Sequence, residues 1–97
     1  MKVAVNIEYD IWRNFIHELL QENWKVVEKY CAYDASIDFD FVILRKNNNI
    51  IIFGWELLDE GEIKTNNYGF EILNLIRKTK FEFGRPKVLN FKTMLII

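Results

Sequence analysis

Seven carboxylates fall between residues 34 and 62, at Asp34, Asp38, Asp40, Glu56, Asp59, Glu60 and Glu62, opposed there only by Arg45 and Lys46. Four of them crowd into the stretch FGWELLDEGEI, Phe53 to Ile63, directly after an apolar run. Carboxylates gathered in this way can hold a divalent cation, activate water, or meet a basic partner. Like charges this close repel one another, so they stabilise nothing locally.

Metal-dependent phosphodiester cleavage of the D…ExK kind needs an Asp and a Glu at the ends of adjacent strands to hold Mg²⁺, and a Lys to steady the attacking water. Asp38 or Asp40 heads one strand and Glu56 ends the next, but Leu57 and Leu58 stand where the Lys is required. Glu62-Ile63-Lys64 spells E-x-K, although only after Gly61, which reads as a turn. Asp34, Asp38 and Asp40 lack the glycine and terminal Glu of a calcium loop. One histidine and one cysteine are too few for a structural zinc site. His17 falls on the polar face of a helix beside Arg13 and Glu18 with no nucleophile near it in sequence, and Cys31 reads as a core residue. The reading is therefore of a protein that is not an enzyme, with no catalytic residue, no metal and no cofactor.

That leaves the acids as a surface. Charge at strand ends and turns commonly does no more than meet water. The density here argues for docking, and Trp55 supplies the kind of aromatic anchor that protein interfaces favour. The candidate partner-binding set is Asp38, Asp40, Trp55, Glu56, Asp59, Glu60 and Glu62.

The elements that must position this set follow from periodicity. YDIWRNFIHELLQEN places Ile11, Trp12, Phe15, Ile16, Leu19 and Leu20 at helical spacing, which predicts an amphipathic helix opening near Asp10. KVAVNI before it reads as a short strand. WKVVEKYCAY, within 24–33, is rich in β-branched and aromatic residues and follows Asn23, a poor helix-interior residue; it reads as strand rather than continued helix. SIDFDFVILR and NIIIFGWEL flank three asparagines and predict a β-hairpin, the second strand covered on both faces. GEIKT reads as a short strand or a loop. YGFEILNLIRKTK predicts a second amphipathic helix with Arg77 and Lys78 in its last turn. KFEFG and VLNFKTMLII, divided by an Arg-Pro turn, read as strands, and the apolar TMLII as a last core strand or a dimer edge. The order (β)αβββ(β)αββ argues a single α+β domain over residues 1–97, an antiparallel sheet with two packed helices.

Composition bounds the functional classes. A chain of 97 residues that is 51% hydrophobic and 15% aromatic is long enough for one core and far too apolar for disorder. No apolar run is long enough to span a bilayer. The start MKVAVNIEYD lacks a signal peptide's apolar stretch, and a single cysteine permits no internal disulfide, so the expected compartment is the cytoplasm. The net charge of −1 conceals a division, with twelve acids against six bases in 1–62 and seven bases against two acids in 63–97. The balance argues against a nucleic-acid binder. The run RKTKFEFGRPK could stack bases on Phe81 and Phe83; the competing reading is a helix ending in cations followed by a strand whose phenylalanines face the core.

The layout of helix and hairpin, then W-E-x-x-x-x-G-E-I through Trp55, Glu56, Gly61, Glu62 and Ile63, then helix and the Phe83-Gly84-Arg85-Pro86 corner, resembles bacterial polymorphic-toxin immunity proteins of the contact-dependent growth inhibition type. The resemblance covers most of the chain and rests on layout. It implies a cytoplasmic protein that binds one cognate toxin, often a nuclease, and blocks its active site or substrate surface. Nucleases carry basic surfaces to hold nucleic acid, so an acidic inhibitor is physically apt. Two rivals share some of these features: a phage-type anti-defence inhibitor whose acids mimic nucleic acid, and a degenerate D…ExK nuclease.

Overall fold

The computed structural model describes residues 1–33, 38–56 and 60–89, with side chains at all of these except 30–33, 38 and 39. Eight elements follow in order: β1 (Lys2–Ile7), α1 (Tyr9–Gln21), β2 (Lys25–Tyr33), β3 (Asp38–Lys46), β4 (Asn49–Glu56), β5 (Glu60–Thr65), α2 (Asn67–Ile76) and β6 (Glu82–Phe83). The strands form one six-stranded antiparallel sheet in the order β2-β3-β4-β5-β1-β6. The α+β class and the antiparallel sheet with two helices are as the sequence predicts. Residues 24–33 resolve to strand from Lys25 onward, and GEIKT is strand as well.

Local chemistry explains where the elements stop. Asn23 adopts a left-handed φ of 69°, and the Trp24 N–H donates to the Leu19 carbonyl at 3.0 Å, which closes α1 in a Schellman-type turn. Trp24 then packs into the same core as Leu19. At the start of α1 the cap is Glu8, and Asp10 lies inside the first turn, where its charge suits the helix dipole. Asn66 caps α2, its Oδ1 accepting from the Gly69 N–H at 2.8 Å. Asn47, with φ 56°, turns β3 into β4, and Lys46 pairs directly with Asn49.

Both helices lie on one face of the sheet, over a core that includes Trp12, Phe15, Leu44, Phe53, Ile63 and Leu73. Burying each such side chain contributes about 1.5–3 kcal/mol. The opposite face buries Phe41, Ile43 and Ile52 beneath Leu89. β4 thus has Ile51, Ile52, Phe53 and Gly54 all buried, as a doubly covered central strand requires. A side chain at Gly54 would place its Cβ 2.5 Å from Leu89 Cδ2, so the glycine is what admits Leu89 to this face. At the outer edge, a register shift between Val26 and Glu28 and the charges of Lys25 and Lys29 blunt β2 as a pairing template.

Four expectations change. α2 ends at Ile76; Arg77 has an extended backbone and the helix's last turn holds no basic residue. Asn74 intervenes, its Oδ1 taking the Thr79 N–H at 3.0 Å and so turning the chain away. Phe81 packs on the core beside Phe15 and Phe70, but Phe83 is half exposed, edge-on to Phe70 at 5.0 Å. Val88 and Leu89 belong to no strand, and the rest of VLNFKTMLII, with TMLII, lies outside the described residues. Gly61 is not the turn residue: it sits buried inside β5, where a Cβ would lie 2.8 Å from the Ile7 carbonyl oxygen and 2.8 Å from Trp12 Cδ1. The left-handed φ belongs to Glu60, at 59°.

Close approach also joins α2 to β5. A Cβ on Gly69 would meet Thr65 Cγ2 at 2.5 Å and Thr65 Cβ at 2.8 Å, and Thr65 cannot retreat because its Oγ1 donates to the Ile50 carbonyl at 2.7 Å. Gly69→Ala is therefore expected to destabilise by about 1–3 kcal/mol despite alanine's better helix propensity. Thermal melts of Gly69→Ala, Thr65→Ala and the double variant check this. The double variant should lose less than the sum of the singles, because the clash is shared.

Candidate functional site

The hairpin gathers part of the predicted acidic set at the end remote from Asn47. Asp40 lies directly opposite Trp55, Trp55 opposite Gly61, and Glu56 opposite Glu60. Trp55 is half buried and meets the Tyr9 ring edge-on at 4.9 Å, so it stands on the helix-bearing face. Strand alternation places Asp40 on that face too, and Glu56 on the other. Glu56 is partly exposed and Glu60 exposed. Two carboxylates directly opposite across a ladder repel, at a cost of a few tenths of a kcal/mol to about 1 kcal/mol. Asp38 continues β3 one step beyond this rim; its side chain and the whole of Asp59, like Asp34, lie outside the described residues.

Glu62 does not join the rim. It is 1% exposed, and its carboxylate turns to the sheet face opposite the helices. There Oε2 accepts the Lys87 N–H at 2.8 Å, and Oε1 accepts those of Val88 at 2.9 Å and Leu89 at 3.0 Å. A carboxylate that takes three successive backbone N–H groups acts as a distant cap on the turn at 87–89. Glu62 is thus withdrawn from the partner-binding surface: buried, with both oxygens engaged by backbone N–H groups, it cannot reach a partner. No sequence signal marks it, because the N–H groups it serves lie 25 to 27 residues away.

The same fact bears on the E-x-K triplet. Glu62 and Lys64 do lie on one strand, but both Glu62 oxygens are committed to the backbone. Asp40 and Glu56 stand on opposite faces of the sheet. Among the described residues no three His, Cys, Asp or Glu side chains converge as metal ligands would. His17 is exposed, with Nε2 3.2 Å from Gln21 Nε2 one turn along α1. The backbone of Cys31 pairs with Asp40 in the β2–β3 ladder. No helix among the described residues is long and apolar enough to cross a membrane.

Comparisons with protein-family models, curated proteins and solved structures find no match for this chain.

Proposed function

We propose that this domain is a non-enzymatic inhibitor that docks a basic protein partner through the rim of Asp40, Trp55, Glu56 and Glu60, in the manner of an immunity protein that neutralises a cognate nuclease toxin. The observation that carries the reading is the Glu56–Glu60 pair. Two carboxylates face each other across the ladder, at the same end of the hairpin as a half-buried tryptophan on the other face, an arrangement unfavourable to the free protein and relieved by a basic surface. A nuclease domain offers such a surface, because it must hold phosphates.

The direct test mixes the purified domain with nuclease domains of basic surface, including the product of any toxin gene that adjoins its own, and follows cleavage. Stoichiometric inhibition that weakens as salt shortens the screening length from about 10 Å at 0.1 M to about 3 Å at 1 M is expected. Cleavage that proceeds unchanged at an excess of the domain rejects the reading. The domain alone should neither cleave nucleic acid nor gain melting temperature in millimolar Mg²⁺, since a metal bound only to the native state would raise it. Metal-dependent cleavage that disappears in Glu56→Gln would instead establish the nuclease alternative.

A further inference from the structure

A groove between the ends of α1 and α2 opens at the Asn47 end of the hairpin, roughly 20 Å along the strands from the acidic rim. It encloses about 530 Å³, within the range of sites that receive a large side chain or a small molecule. Leu19, Trp24 and Ile72 line it. Tyr68 and Leu75, 52% and 87% exposed, stand on the α2 side. A single exposed leucine carries no meaning, but this one extends an apolar floor.

The α1 side carries Glu18 and Glu22, four residues apart at the end of the helix. Two features of local physics oppose them: like charges at this spacing repel, and the negative end of the helix dipole disfavours anions. Among the described residues the one cation lining the groove, Lys46, gives its Nζ to the Glu22 backbone carbonyl at 2.9 Å. That contact answers the helix end and leaves both carboxylates without an ion pair among the described residues. A separate feature points to an occupant. Trp24 is 4% exposed, and among the described residues no acceptor takes its indole N–H. Every fully buried side-chain nitrogen or oxygen among the described residues has a partner, so this donor is not sealed off, and it belongs to a groove-lining residue.

We infer that the groove binds a Lys- or Arg-bearing apolar segment of a protein partner. The cation sits between Glu18 and Glu22, an apolar neighbour covers Leu75 and Ile72, and a backbone carbonyl of the segment accepts from Trp24. An acidic segment is repelled by the same two carboxylates. The inference stands apart from the docking rim, since it uses none of the rim's residues.

The probes are three blocked tripeptides, acetyl-Leu-Arg-Leu-amide and its Gln and Glu counterparts, titrated into the ¹⁵N-labelled full chain. The Trp24 indole signal is assigned through Trp24→Phe. The Arg peptide should shift the Trp24 indole and Leu75 signals saturably, and the Glu peptide should bind at least ten-fold more weakly. The double variant Glu18→Gln/Glu22→Gln and the single variant Leu75→Ser, all on the helix surfaces, should each weaken the Arg peptide several-fold while the rest of the spectrum is unmoved. Glu60→Lys should leave this titration unchanged, so failure of the rim reading and failure of this one are separately visible. No saturable shift at Trp24, equal shifts from all three peptides, or shifts centred on Trp55 would each overturn the inference.

Discussion

Glu62→Ala is expected to lose about 3–5 kcal/mol of folding stability, a large part of what a domain of this size possesses. The substitution strips three N–H groups of their acceptor, those of Val88 and Leu89 in a buried place and that of Lys87 in a partly buried one. Each orphaned donor costs about 1–3 kcal/mol, and partial relaxation of the 87–89 turn keeps the total below the sum. The consequence spreads, because Leu89 covers Phe41, Ile43 and Ile52 on the face away from the helices. The melting temperature should fall by at least ~12 °C at the usual ~4 °C or more per kcal/mol for a small domain. Glu62→Gln keeps the shape and one acceptor oxygen but turns an amide donor toward N–H groups, so it should fall between Ala and wild type. Urea unfolding of the three proteins measures this; a Glu62→Ala midpoint within ~1 kcal/mol of wild type would mean the turn holds itself.

Charge reversal on the rim should act in the contrary way, hurting binding and sparing the fold. Glu60→Lys places a cation directly opposite Glu56, converting a repulsive cross-strand pair into an attractive one worth about 0.2–1 kcal/mol. The free protein should therefore melt at or slightly above the wild-type temperature. Its association with a basic partner should slow at low salt, since rim charges act chiefly on the encounter rate. Adding Glu56→Lys restores a like-charge pair, now of two lysines. Stability should then return toward wild type, whereas association slows further, by about ten-fold or more at low ionic strength. Stability that rises and then falls, beside binding that only falls, separates a docking surface from a solvated strand end. Stopped-flow association at two salt concentrations, with thermal melts of each variant, reads both; unchanged rates in the double variant would return these acids to ordinary hydration. Glu62→Lys cannot serve in this experiment, because it would bury a cation against three N–H donors.

Much of this molecule is legible from the chain because its signals are local. The apolar spacing of Trp12, Phe15 and Leu19 specifies a helix without reference to anything distant. Asn23 and Asn47 tolerate the left-handed backbone that ends that helix and turns the hairpin. The hairpin alone brings Asp40, Trp55 and Glu56 to one end, since register between adjacent strands follows from a two-residue turn.

What the chain does not disclose depends on contacts between distant residues. Glu62 looks like its acidic neighbours in sequence, and only the sheet, by bringing residues 87–89 beneath it, makes it a buried cap. Gly61 looks like a turn; the fold uses its missing side chain to admit Trp12 and the β1 backbone. The groove beside Trp24 exists only because α1, α2 and the hairpin meet there. Periodicity and turn chemistry determine elements and their near neighbours, because those interactions act within a few residues. Which polar group is buried, and which surface stays open to a partner, is settled by packing across the whole chain.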